Sequence, residues 1–489
     1  MKCASINSLR RISKGLQFSG KRILCFFSIL ILLSLNSAPV ESQTLTDIQK
    51  SWISKANRHD KSGWTYLHVE GSGKERGFQH GFLLAKDIME AIKATRLNWE
   101  YGTAMEWNWL LDKANTILAP NIDAENLEEM DGIVEGLKAA GFNCSRSEIL
   151  CLNAWIELRD YWWPQEFKKM TGEKKENNRE SCSSFIAVGS MTTDGEIVLG
   201  HNTMSSYNES LPNVIIDLLP EKGHRILMQT TAGLIHSGTD FFITDAGLVG
   251  SETTIGGFSG FDEKGIPEFS RMRRATQDAG SIDEWCAIMK KGNNGGYANA
   301  WLIGDINTKE IARLELGLKY IGFERKKDGF FIGSNIAENL KILRFETTRN
   351  ETDISIMGVS RRVRWNQLMK QFAGKIDVAK AKQFEADHYD TFLKQEVADG
   401  RTLCGHGELQ REPAGWPAVP YGPGGTLDAK VVDSKMARNM SFAARWGSGC
   451  GMAFDANKFL EEHPQFDWMK DILKSRPSED WTVFEAGEK

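Results

Sequence analysis

The sequence predicts an α+β domain, and three observations carry that prediction. Apolar residues recur at helical spacing over residues 75–163, strand-like runs and turn signals dominate from residue 182 onward, and a charged stretch separates the two textures. The chain has 489 residues, enough for one large domain or two ordinary ones, and its 41% hydrophobic and 26% charged content is that of a folded protein. A formal net charge of -5 leaves no basic footprint, so nucleic acid is not expected as a partner. Fifteen tryptophans and 46 glycines point to tight turns and an aromatic-rich core without naming a chemistry.

The first 42 residues read as a signal peptide. Arg10, Arg11, Lys14, Lys21 and Arg22 precede an apolar run at 23–35, and cleavage is expected after Ala38 or Ser42. The run is shorter than the roughly 20 residues that span a bilayer, which favours cleavage over a retained anchor. The mature chain is therefore expected outside the cytosol: secreted, periplasmic or in a lysosomal lumen. Sequons at Asn143, Asn208, Asn350 and Asn439 matter only where the host glycosylates.

Residues 43–164 read as the helical N-terminal part. Phe82, Ile88, Ile92 and Leu97, then Leu110, Leu111 and Ile117, mark helix faces, and 127–137 and 149–158 continue them. Residues 165–181 read as a charged linker. Residues 182–489 form the second part. It begins with strands at 183–188 and 196–199 around a Thr193-Asp194-Gly195 turn, followed by strands at 214–219, 225–230, 241–244 and 247–252. Helix is expected over 268–291, 358–394 and 434–445, and strand over 298–305, 310–316 and 330–334.

Six cysteines remain after the leader: Cys144, Cys151, Cys182, Cys286, Cys404 and Cys450. An oxidising compartment permits pairing of Cys144 with Cys151, and of Cys404 with Cys450. Cys286 sits in a helix-like stretch as a small buried hydrophobe. Cys182 is left without a partner. No C-x-x-C pair, H-E-x-x-H or other His/Cys group at metal spacing occurs, so no metal is expected. No G-x-S-x-G elbow, P-loop or dinucleotide fingerprint occurs either, and no cofactor is expected.

Cys182 lies where the charged stretch meets a β-hairpin. A cut between Ser181 and Cys182 would give one residue both a thiol and a free α-amine. An α-amine titrates near pH 8 and can act as the thiol's own general base. The thiolate would attack an ester or amide carbonyl, form a thioester and yield to water, with nearby donors holding the oxyanion. The competing reading is a structural cysteine in a strand.

Several segments resemble the phospholipase B-like family of N-terminal-nucleophile hydrolases. Cys182-Ser183-Ser184 ahead of an apolar strand is similar to the family's nucleophile segment. His201-Asn202-Thr203 with Ser205-Ser206-Tyr207 resembles its His-Asn-Thr-Trp-x-Ser-Tyr motif, with Met204 replacing Trp. Asp240-Phe241-Phe242, Gly247-Leu248-Val249, Glu252-Thr253-Thr254, the 296–301 segment and the 425–431 segment follow in the family's order. Glu75-Arg76-Gly77-Phe78-Gln79-His80-Gly81 looks more like penicillin acyltransferase-type peptidases.

The resemblance implies a four-layer αββα sandwich and self-cleavage before Cys182. It implies Cys182 as nucleophile and Asn299 as an oxyanion donor. It also implies a tuning or processing role for His201 and a hydrogen bond from Thr254 to the nucleophile or its oxyanion pocket. Asn202, Asp240 and Asn335 are implied as binding or supporting residues. Asn299, His201 and Thr254 each have a structural alternative: a hairpin Asn, a strand-end His, a strand Thr. The expected partner is a lipid or acylated small molecule, with peripheral membrane contact and an open oligomeric state. Three functions compete: removal of fatty acyl chains from phospholipids, amide hydrolysis or acyl transfer by the same cysteine, and an inactive lipid-binding protein of the same fold.

Overall fold

A computed structural model describes residues 44–173, 181–209, 211–412 and 419–489. The leader (1–42) and residues 174–180 of the charged stretch lie outside the described residues. The stretch is not all linker: Trp163–Thr171 is a helix, closed by Gly172 in the left-handed conformation.

Two sheets make the frame. The larger runs Asn57–Lys61, Trp64–Gly71, Val214–Pro220, Ile226–Thr230, Phe241–Thr244, Leu248–Thr254, Asn299–Asp305, Glu310–Leu316 and Ile321–Lys326 from edge to edge. All its pairs are antiparallel except Trp64–Gly71 with Val214–Pro220. The smaller runs Gly329–Gly333, Ser183–Gly189, Gly195–Ser206, Gly424–Asp433, Ser441–Trp446 and Thr482–Glu485, antiparallel throughout.

Strand parity divides the apolar residues among three cores. On the larger sheet, Val214, Ile216, Leu218, Trp301 and Ile303 face a helical layer that includes Ala85–Thr103 and Ala124–Ala139. Their neighbours Ile215, Leu227 and Leu302 face the smaller sheet, meeting Ile186, Leu199 and Val432. The other face of the smaller sheet, through Phe185, Val198 and Val431, packs on Trp365, Leu368 and Phe384 of a second helical layer. The order is therefore helix, sheet, sheet, helix: the αββα sandwich that the resemblance implies. Strands buried on both faces read as unbroken apolar runs, which is why their alternation is faint in sequence.

The N-terminal helices are tied by glycine. Gly77 and Gly81 of Gly73–Leu83 lie against Gly132 and Gly136 of Ala124–Ala139, so close that a Cβ on Gly77 would sit 2.0 Å from the Glu129 carbonyl. Arg76 spans the same contact and bonds Glu129 at 2.8 Å.

Three sequence expectations change. The 268–291 helix is two helices, Glu268–Asp278 and Ile282–Lys290, because Ser281 caps the second. Helix over 358–394 is two helices, Met357–Gln371 and Val378–Phe384, the second capped by Asp377; Tyr389–Asp390 and Gln395–Glu396 then form a small hairpin. The 434–445 helix is only Ser434–Arg438, since Ser441–Trp446 pairs as a strand with Gly424–Asp433. Cys144 and Cys151 are free thiols: Cys151 is buried on the inner face of Arg146–Asn153, while Cys144 precedes its cap. The sequon at Asn208 is buried, its amide bonded to Asn98, whereas Asn143, Asn350 and Asn439 are exposed. No described helix is long and apolar enough to cross a membrane.

Candidate active site

Cys182 immediately precedes the Ser183–Gly189 strand and is buried, with φ of +73°. Left-handed backbone is uncommon for a residue carrying a Cβ and marks a locally strained position. The two serines that follow fix the strand's facing. Ser183 accepts a bond from Trp365 Nε1 at 2.8 Å in the outer helical layer. Ser184 faces the other sheet, donating to the Gly200 carbonyl at 2.8 Å and meeting Ser251 Oγ at 2.6 Å.

The peptide ahead of Cys182 is held from the neighbouring strand. Gly333 pairs with Ser184, so the chain beyond Gly333 runs alongside the start of the nucleophile strand. Asn335 Nδ2 donates to the carbonyl of Ser181, and to that of Thr254 at 2.8 Å. Arg361 Nη2 donates to Asn335 Oδ1 at 2.6 Å. A guanidinium can only donate, so this bond fixes which end of the carboxamide faces the two carbonyls.

A cavity of about 90 Å³ opens on Ser181 and Cys182, lined by Leu152, Trp155, Ile156, Met204, Leu234 and Leu427 among apolar side chains. Thr203, Glu209, His236, Thr239, Asp240 and Tyr297 add polar groups. Asp240 and Glu252 share the hydroxyl of Tyr297, at 2.9 and 2.7 Å, and Thr254 Oγ1 donates to the same hydroxyl at 3.2 Å. Burial lifts Asp240 to about 6, and burial with the Asp240 charge lifts Glu252 well above the carboxylate range. Two buried carboxyls this close retain a proton between them.

Lys430 supplies the positive charge. It is fully buried, bonding Asp428 and Thr203 at 2.5 Å, with Gln229 as a third partner. Asp428 and Lys430 share a strand face by two-residue parity. Cys182 feels both sides: burial and Asp240 push its thiol up to about 12, while a backbone bond from Met204 and Lys430 oppose the rise. Before any cut it is a neutral thiol near neutral pH.

The structure separates the sequence-derived residues. Asp240 lines the cavity with Cys182, and Asn335 touches Ser181. Thr254 lies one hydroxyl away, bonding Tyr297 rather than the thiol. His201 is buried with Nε2 on the Glu252 carbonyl at 3.0 Å; burial, then Lys430, hold it well below its ordinary value, so it is neutral. Asn202 points to the outer face, bonding the Glu385 and Leu403 carbonyls at 2.9 and 2.8 Å. Asn299 shares the helix-facing side of its strand with Trp301 and donates to Glu268 at 3.4 Å, away from the cavity lining. Tyr297 and Lys430 were read only as members of the 296–301 and 425–431 motif segments, without a role, and Gln229 was not singled out from the sequence. The Asp428-Ala429-Lys430 alternation was a further signal, since charges two apart on a buried strand must find each other.

A family model described as Phospholipase B matches residues 123–322. Phospholipase B-like protein C of Dictyostelium discoideum is 22% identical over 392 residues, covering 72% of this chain and 66% of that protein. Putative phospholipase B-like 2 of Homo sapiens is 29% identical over 144 residues, covering 26% and 24%. An uncharacterized protein of Archaeoglobus fulgidus is 23% identical over 265 residues, covering 51% and 42%. These matches span less than two thirds of each relative's own length. Among solved structures, a mutant conjugated bile acid hydrolase from Clostridium perfringens aligns with a TM-score of 0.32 at 10% identity, covering 54% of this chain and 88% of that one. The family resemblance drawn from the motifs is borne out by the family model and the curated relatives.

Proposed function

Taking the relationship to the phospholipase B-like family as premise, we propose that this chain is a hydrolase that cuts its own Ser181–Cys182 bond and then removes fatty acyl chains from phospholipids through a Cys182 thioester. The observation that carries the proposal is the Asn335 carboxamide on the Ser181 carbonyl, beside a cysteine on left-handed backbone. In the first reaction Sγ bonds the Ser181 carbonyl carbon and the C–N bond to Cys182 breaks. The thiol proton ends on the released amine, and Asn335 faces the oxygen on which charge develops. Water then hydrolyses the thioester, giving a Ser181 carboxylate and a Cys182 bearing thiol and amine.

In the second reaction the amine takes the Sγ proton, Sγ attacks the lipid ester, and the alcohol departs with that proton. Water releases the fatty acid and restores the thiol. The cavity, about 90 Å³ in the uncut chain, is below the roughly 300 Å³ at which small-molecule sites begin. The reading therefore requires the cut to open it.

Intact-mass measurement of purified protein should find a fragment beginning at Cys182, and Cys182→Ala should remain uncut and release no fatty acid from phospholipid vesicles. A Cys182→Ala chain that still hydrolyses lipid, or a wild-type chain active while uncut, contradicts the proposal.

A further inference from the structure

Apart from the cavity, four ligand-type side chains converge from three loops. One donor atom each from His388, Cys404, His406 and Cys450 lies within 4.8 Å of the other three. His406 Nε2 is 3.6 Å from Cys404 Sγ and 3.5 Å from Cys450 Sγ. The His388 ring stands at 75° to that of His406, and its Nε2 is buried with no hydrogen-bond partner among the described residues. These four residues run from 388 to 450, and they match no short metal motif.

We propose that His388, Cys404, His406 and Cys450 bind one zinc ion in a closed structural site. Two thiolates and two imidazoles are a common tetrahedral zinc set. With zinc–sulfur near 2.3 Å and zinc–nitrogen near 2.05 Å, tetrahedral angles put sulfur and nitrogen about 3.6 Å apart. The two observed separations are 3.5 and 3.6 Å. The support around the donors fits as well. His406 Nδ1 meets Glu408 Oε1 at 2.8 Å, which leaves Nε2 free for the metal, and Tyr207 holds the other carboxylate oxygen at 3.1 Å. Met452 N donates to Cys450 Sγ at 3.4 Å. A Cys404–Cys450 disulfide would use only the sulfurs and leave the convergence of both histidines without a cause. Four protein donors leave no open position, so the ion ties loops rather than activating water.

The tied loops bear on the nucleophile strand. Asn202 bonds the carbonyls of Glu385, three residues before His388, and Leu403, one before Cys404, and pairs in register with Ser183. Zinc here clamps the outer face of the strand pair that carries Cys182.

The full chain, produced in zinc-replete medium and purified without chelator, should hold stoichiometric zinc by elemental analysis. X-ray absorption should fit two sulfur and two nitrogen neighbours, and cobalt exchange should give thiolate-to-cobalt charge-transfer bands. His388→Ala and Cys450→Ser should lose the metal, while His388→Cys should keep it. A strong chelator should lower Tm in the wild type but not in Cys450→Ser. Should the variants fail to fold, the wild-type absorption and cobalt spectra decide alone. Metal-free wild type, whether its peptide map shows a Cys404–Cys450 disulfide or two free thiols, overturns the proposal; so does zinc retained by both His388→Ala and Cys450→Ser.

Discussion

At the scale of single residues, the contrast between Asn335 and Asn299 shows what a carboxamide can do. Both are buried, but Asn335 faces the Ser181 carbonyl, while Asn299 faces Glu268. Removing an oxyanion donor costs roughly 10²–10³ in rate. Asn335→Ala should therefore slow appearance of the Cys182 fragment by about that factor, and Asn299→Ala should leave it largely intact. Timed intact-mass measurements check both; the reverse ranking would return the role to Asn299. Cys182 was legible from its place ahead of a β-hairpin and from the motif order, and not from the expected pairings, since Cys144, Cys151, Cys404 and Cys450 are free as well. The direction of Asn299 was not, because a strand side chain's face depends on which layer covers it. Trp301, two residues on, shows that this face meets the helices.

At the scale of elements, the glycine contact between Gly73–Leu83 and Ala124–Ala139 makes a sharp test. A Cβ on Gly77 would lie 2.0 Å from a backbone carbonyl, and backbone cannot yield as a side chain can. Gly77→Ala should destabilise by about 1–3 kcal/mol through overpacking. Gly102→Ala, where a Cβ would meet nothing within 4 Å, should be neutral or stabilising. Urea midpoints measure both, and equal effects would mean the helices are not this close. Most elements were visible as periodicity or turn signals. Residues 441–446 were not: their Ala and Arg favour helix, and pairing with Gly424–Asp433 overrides that preference. The linker reading likewise ran over Trp163–Thr171, where charge on the exposed side masked a helix.

At the scale of the whole molecule, buried ionisable groups set a pH window for stability. Burial lifts Glu157 to about 7 and Asp240 to about 6, from ordinary values of 4.5 and 3.8. The folded chain keeps protons that the unfolded chain sheds, so stability falls as pH rises through this interval. Burial lowers His80 to about 4 and His236 to about 3, from 6.5. There the unfolded chain binds protons that the folded chain refuses, so stability falls as pH drops below 6.5. Each unit of difference is worth about 1.4 kcal/mol per group. Summed over these four groups the two limbs nearly cancel between pH 5.5 and 8, while the histidine limb is the larger at pH 4. Urea midpoints should therefore be about equal at pH 5.5 and 8 and lower at pH 4; a midpoint at pH 4 above both would contradict the account.

By itself the sequence determined the α+β class, most strands and helices, and the family resemblance, because these rest on local periodicity, turn chemistry and ordered motifs. Only the tertiary structure decided which side chains meet. It put Asn335 rather than Asn299 on the Ser181 carbonyl, and it placed Lys430 and the Asp240–Glu252 pair around the thiol. It also gathered His388, Cys404, His406 and Cys450 into one cluster. The physical reason is common to all three. Contacts across a sandwich depend on strand register and face, and these are fixed by residues far apart in the chain.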